Sequence, residues 1–202
     1  MKNWKYLLLS VILFPLVGMV SSCSEESAKT GEFDNWQQRN DEAVNQWAAN
    51  TSLRKIKTYS KDPSSTGTNA DYIYVQVLET GNGADSPLFN DTARVAYRGY
   101  FIPTASYSDG YVFDQNYIGD FSWSTAGMTD FAITSNLCDG FSTALMNMHK
   151  GDRWRVYMPY QLGYGTTVSG SIPAYSNLIF DIALQDFWHP GDVHPSFKAR
   201  KK

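Results

Sequence analysis

From residue 72 onward, apolar and polar side chains alternate with the period of an extended chain. Ile73, Val75 and Val77 stand opposite Tyr72, Tyr74 and Gln76, which predicts a strand closed by the Gly81-Asn82-Gly83 turn. A second strand is expected from Ala93 to Phe101, with Val95 and Tyr97 on one side. Trp154, Val156 and Met158 alternate against Arg153, Arg155 and Tyr157, and Leu178, Phe180, Ile182 and Leu184 share one face of a last strand. This patterning predicts strands that are each half-buried. Within the same stretch the period changes once. Phe141, Ala144, Leu145 and Met148 fall at i, i+3, i+4 and i+7, an apolar stripe that predicts one short helix ended by Lys150-Gly151. The sum is an α+β domain in which an antiparallel β-sheet wraps around one short α-helix.

Ahead of that domain the pattern is helical. Trp36, Ala43, Val44 and Trp47 recur at i, i+7, i+8 and i+11, with Asn40 placed as an N-cap before Asp41 and Glu42, so a helical N-terminal extension is expected. Its tryptophan stripe suits packing onto the chain's own domain, with dimerisation as the alternative. The run Lys61-Asp62-Pro63-Ser64-Ser65-Thr66-Gly67-Thr68-Asn69 reads as a linker, which puts the domain start near Asp71. The chain opens with Lys2 and Lys5, then an apolar stretch from Tyr6 to Val20, then Ser21 and Ser22 before Cys23. A basic start, a mid-length apolar run and small residues before a cut point describe a secretion signal; a spanning helix needs ~20 apolar residues. Val20-Ser21-Ser22-Cys23 resembles the bacterial lipobox, in which the cysteine is diacylated and becomes the first residue of the mature protein. The expected anatomy is a lipoprotein signal peptide at 1–22, a tether, amphipathic helix and linker at 23–70, the domain at 71–188 and a C-terminal tail at 189–202. The resemblance implies a membrane anchor through lipid on Cys23 in the bacterial cell envelope, at the outer membrane and either periplasmic or surface-exposed. An ordinary secreted protein is the alternative.

Composition narrows the chemistry. A formal charge of −3 over 202 residues gives no basic footprint for phosphate backbones, so nucleic acid is not an expected partner. Of the two cysteines, Cys23 and Cys138, the first sits in the processing signal, so neither a disulfide framework nor a metal site is expected. His149, His189 and His194 have neither metal-ligand nor triad spacing, and no Gly-x-Ser-x-Gly, phosphate-loop or dinucleotide string occurs. Aromatic residues at strand ends and in loops are what remain.

Their order carries a resemblance. Arg94-Val95-Ala96-Tyr97-Arg98-Gly99 followed by Asp109-Gly110-Tyr111-Val112-Phe113-Asp114 is similar to the strand and Asp-Gly-x-x-Phe-Asp element of FKBP-type peptidyl-prolyl cis-trans isomerases. Leu137-Cys138-Asp139-Gly140-Phe141, running into Met148-His149-Lys150-Gly151, resembles the family's Val-Ile-x-Gly-Trp helix segment. Met158-Pro159-Tyr160-Gln161-Leu162-Gly163-Tyr164-Gly165 looks like Ile-Pro-x-x-Leu-Ala-Tyr-Gly. Ser171-Ile172-Pro173, with Asn177-Leu178-Ile179-Phe180-Asp181, matches the closing Ile-Pro and Leu-x-Phe strand. These elements agree in order over roughly residues 71 to 187, where each alone would be weak.

The resemblance implies an isomerase that acts on proline-containing polypeptides, takes macrolide inhibitors and needs no cofactor. It implies catalytic roles for Tyr97, Phe113, Asp114, Tyr164 and Phe180, and substrate-binding roles for Leu137, Cys138, Phe141 and Ile172. Phe141 would be the pocket floor, Phe113 and Phe180 would wall the proline ring, and the Cys138 N–H and Tyr164 hydroxyl would hold substrate carbonyls. Phe141 stands where the family usually has tryptophan, Cys138 where it has a branched aliphatic residue. The stretch from Asp114 to Phe131, with Phe121, Trp123 and Met128, has no clean counterpart, and no residue there is assigned to the pocket. A non-catalytic module of the same fold that binds peptide or protein is the alternative function.

Overall fold

The computed structural model describes residues 31–134 and 137–194. Segment 1–22, Cys23 and most of the tail lie outside the described residues. The elements run α1 (Trp36–Ala49), β1 (Arg54–Lys57), β2 (Tyr72–Glu79), β3 (Thr92–Tyr100), β4 (Val112–Gln115), β5 (Thr129–Ala132), α2 (Asp139–Leu145), β6 (Arg153–Met158) and β7 (Leu178–Trp188). The strands form one antiparallel sheet ordered β1-β2-β6-β7-β3-β4, with β5 pairing β3. Register places Val75, Val156, Phe180 and Gly99 in one cross-strand row, and Val77, Trp154, Ile182 and Tyr97 in another. Val75, Val156, Trp154 and Ile182 of these rows pack with the buried stripe Phe141, Ala144, Leu145 and Met148, although α2 ends at Leu145, before the expected Lys150-Gly151, and Met148 lies just beyond it. The expected sheet wrapped around one short helix is therefore present.

The other face of the sheet is where alternation misleads. It predicts half-buried strands, yet Leu178 to Leu184 are buried without a break, so both faces of β7 are covered there. Tyr74, expected on the open side, is 1% exposed, whereas Val77, expected inside, is 46% exposed. Two covers explain the burial. Trp47 of α1 lies over Tyr157 and Tyr74, with ring centroids 5.2 and 6.3 Å away. Farther along, Tyr117 and Ala126 pack with Ala96 and Ala183, backed by Phe121, Trp123 and Met128. This gives the aromatics of the stretch after Asp114 their place: they roof the outer face. Trp123 fixes the roof by donating to Glu79 at 2.8 Å.

The N-terminal helix also differs in detail from the sequence reading. It starts at Trp36, behind Asn35 at φ 50°, so Asn40 is not its cap. Asn40 is fully buried mid-helix, and its amide donates to the Trp36 carbonyl at 2.7 Å. Trp36 and Val44 are buried, Trp36 within the main core, and Arg54–Lys57 pairs with Tyr72–Val75. Residues on both sides of Asp71 thus share one sheet and one core.

Candidate functional site

Elements from across the sheet meet at one end of α2. β3 supplies Tyr97, β4 Asp114, β5 Phe131 and β7 Phe180; the start of α2 supplies Cys138 and Phe141, and the loop after β6 supplies Tyr164. With Leu137 they line a pocket of about 120 Å³. It is small enough for a single five-membered ring, apolar on its walls and polar at a few points, as ligand sites tend to be. A wider groove of about 440 Å³ runs beside α1, but its lining mixes Arg39, Glu42, Asp109 and Arg155 and includes none of the residues expected to bind or act on substrate.

Phe141 forms the base of the pocket. Its ring meets Phe180 at 5.1 Å and 83°, Phe131 at 6.0 Å and 73°, and Tyr97 at 6.2 Å and 88°. Such edge-to-face sets are favoured by the ring quadrupoles and hold each aromatic at a fixed tilt. Gly99 makes the arrangement possible, because a Cβ there would lie 2.5 Å from Phe180 Cε1 and 2.7 Å from Phe113 Cζ.

The polar groups are few and all carry protons at neutral pH where a direction is defined. Tyr97 donates to Asp114 Oδ2 at 2.9 Å; burial first, then that bond, pushes the Tyr97 phenol well above its ordinary value. Burial, then the neighbouring Cys138 and Asp114, raises Tyr164. Burial pushes the Cys138 thiol up to about 11, so it is neutral and a poor nucleophile. Among the described residues, no hydrogen bond engages the Tyr164 hydroxyl, no backbone carbonyl takes the Cys138 N–H, and no ion pair reaches Asp114. Tyr164 and Cys138 thus both line the pocket beside its aromatic walls.

Tyr97, Asp114, Leu137, Cys138, Phe141, Tyr164 and Phe180 are brought together, but two expected members stand back. Phe113 stacks on Phe101 at 4.9 Å and meets Phe180 at 5.5 Å and 89°, so it buttresses Phe180 from behind. Ile172 is buried in the main core beside its bridge to Ser169. Phe131 is the member that sequence reasoning missed. It sits in a four-residue strand whose alternation is too short to register, and its place is set by pairing with Ala93. Cys23 lies outside the described residues.

The family model described as FKBP-type peptidyl-prolyl cis-trans isomerase matches residues 83–185, about half of the chain. The chain is 34% identical over 110 residues to a macrophage infectivity potentiator of Trypanosoma cruzi, covering 54% of this chain and 50% of that protein. It is 32% identical over 139 residues to the FKBP-type peptidyl-prolyl cis-trans isomerase FkpA of Escherichia coli (strain K12), covering 69% and 42%. The chain thus spans about half the length of these curated relatives or less. The crystal structure of FkpA from Escherichia coli superposes with a TM-score of 0.56 at 24% identity over 75% of this chain and 58% of that one, a likeness of fold.

Proposed function

Because the chain belongs to the FKBP-type peptidyl-prolyl cis-trans isomerase family, we propose that it catalyses cis/trans rotation of X-Pro bonds in polypeptides of the bacterial envelope. The observation that carries this reading is the meeting of four aromatic rings around a proline-sized slot, with Tyr164 and Cys138 at its side. Amide resonance sets a barrier of ~18–20 kcal/mol to rotation, and crossing it requires neither proton transfer nor metal. Twisting the bond removes resonance and leaves a less polar carbonyl and a more pyramidal nitrogen. An apolar slot holds that twisted state better than the planar, more polar ground state. Each ~1.4 kcal/mol of such preference is worth tenfold in rate. In this reading Phe141 underlies the proline ring, Phe180, Phe131 and Tyr97 enclose it, and Phe113 holds Phe180 upright. The Tyr164 hydroxyl and the Cys138 N–H bind the flanking carbonyls and fix the peptide on either side of the rotating bond. Macrolide inhibitors would occupy the same slot.

A protease-coupled assay on a proline tetrapeptide tests the proposal. Turnover above the thermal rate, lowered by Phe141→Ala in a folded protein, is the expected result. Macrolide or peptide binding without turnover would favour the second reading, a binding module of the same fold. The substitution of phenylalanine for the family's usual tryptophan at Phe141 gives that reading its footing. For location, the proposal is a lipid anchor on Cys23. Cys23→Ser should leave the protein unprocessed or free of the membrane fraction, and unchanged detergent partitioning would reject the anchor.

A further inference from the structure

A buried pair of asparagines joins α1 to the loop that carries Tyr164. The Asn177 N–H donates to Asn40 Oδ1 at 2.8 Å, and Asn177 Nδ2 donates to the Asn40 carbonyl at 2.7 Å. The remaining acceptor of Asn177, its Oδ1, takes the N–H of Tyr160 at 2.8 Å. Tyr160 and Asn177 are the two ends of the loop, so one side chain closes it and hands it to the helix. One turn earlier on α1, the Trp36 indole donates to Ser176 Oγ at 2.9 Å, and that hydroxyl donates to the Pro173 carbonyl at 2.7 Å. Asn40 and Asn177 are both 0% exposed.

These bonds do more than attach a helix. Burying an amide is unfavourable unless every polar atom finds a partner, and an apolar side chain would glue α1 down as well, as Val44 does on the same helix. A satisfied polar pair instead fixes one register between helix and loop, because a shift of a single residue would orphan several buried groups. The loop also needs outside support. Tyr175 adopts φ 61°, a left-handed conformation that a bulky side chain adopts only when its surroundings impose it. Its N–H donates to the Gly165 carbonyl at 3.0 Å, so the strained residue is tied directly to the neighbour of Tyr164. Strain at Tyr175, the Ser176 and Asn177 anchors and the placement of Tyr164 form one connected unit.

We infer that α1 is a positioning element for the substrate loop, with Asn40 as the positioning residue that sets where the Tyr164 hydroxyl stands at the pocket. This rests on the reading of that pocket as the isomerase site. A loop released from Asn40 would place Tyr164 less often. Tyr164 would hold a substrate carbonyl in the planar and twisted states alike, so the loss falls on binding more than on the rotation step.

The test compares Asn40→Ala with Val44→Ala, a buried change on the same helix at a side chain that makes no hydrogen bond to the loop. In Asn40→Ala, amide hydrogen exchange across residues 164–176 should accelerate by about tenfold or more. KM for the proline tetrapeptide should rise about fivefold to tenfold with kcat within about twofold. Val44→Ala should lower the melting temperature and leave both readouts near those of the parent. If Asn40→Ala does not fold, Trp36→Phe keeps an aromatic ring at the site but removes the indole donor to Ser176 along with part of the buried ring, and it should shift exchange and KM in the same direction by less. Equal effects of Asn40→Ala and Val44→Ala, or unaltered loop exchange in both Asn40→Ala and Trp36→Phe, would overturn the inference. Absence of turnover in the parent would sink the isomerase reading, while the exchange measurement would still decide the role of Asn40.

Discussion

The Tyr97 hydroxyl donates to Asp114 Oδ2 at 2.9 Å, joining β3 to the facing strand β4 at the pocket. One bond thus orients a phenol ring on the wall and a carboxylate beside it. Tyr97→Phe and Asp114→Asn should each lower kcat/KM by roughly ten to a hundredfold, the cost of ~1–3 kcal/mol for the lost bond. The double variant should be little worse than Tyr97→Phe alone, since without the phenol hydroxyl the exchange of carboxylate for amide has no bond left to weaken. Additive losses would mean that the two act separately. Complete inactivation by Asp114→Asn in a normally folded protein would point to acid–base chemistry.

Gly99 is the position where a single methyl group should disturb the pocket most. Its Cβ would stand 2.5 Å from Phe180 and 2.7 Å from Phe113, and neither ring can retreat without disturbing Phe101 or Phe141. Gly99→Ala should cost about 1–3 kcal/mol in urea melts through overpacking, and about tenfold in kcat/KM through the tilt of Phe180. A variant as stable and active as the parent would show that the ring set tolerates displacement.

Turnover should be nearly flat from pH 6 to 9. Burial holds the Cys138 thiol at about 11 and raises Tyr97 and Tyr164 above their ordinary values, so these donors stay neutral across the range. A bell-shaped profile of kcat/KM would reject a mechanism of shape and desolvation.

Stability, by contrast, should respond to pH through the end of β7. His189 Nδ1 lies 2.9 Å from the fully buried carboxylate of Asp91, and that hydrogen bond, then the charge, raises the His189 pKa. A folded-state pKa above the unfolded value of about 6.5 means the contribution is fully present below that value and lost as pH rises through the folded one. The melting temperature should therefore fall across this window relative to His189→Asn. Parallel curves for the two proteins would remove the pair from the account.

The linker-like run from Lys61 to Asn69 predicts that a chain starting near Asp71 folds by itself. Trp36 is 7% exposed, in edge-to-face contact with Phe101 at 6.0 Å, and bonded to Ser176, which predicts otherwise. Trp36→Ala should cost ~3–5 kcal/mol in chemical denaturation, the range for buried aromatic truncations. Deleting residues 24–68 should abolish cooperative melting. A sharp transition in that truncation would show that α1 and β1 are accessories.

The sequence by itself determined the elements with long, regular periods and the ordered motifs placed on them. Tyr97, Phe141 and Phe180 were legible as pocket residues because each sits within a motif on a strand or helix whose pairing is set by its own neighbours. Alternation states which side chains share a face, but it carries no information about what covers that face. Only the tertiary structure decided that Trp47 buries Tyr74, that Val77 stays open, and that Phe121 and Trp123 roof Ala96 and Ala183. It also decided that Phe131 completes the wall and that Phe113 stands behind it. Asn40 shows the reason most plainly. Read locally, it looked like a helix cap; its actual partner is Asn177, 137 residues away, and a bond across that separation depends on the register of a whole helix against a loop. Such a contact exists only once the chain has closed, so no local pattern can announce it.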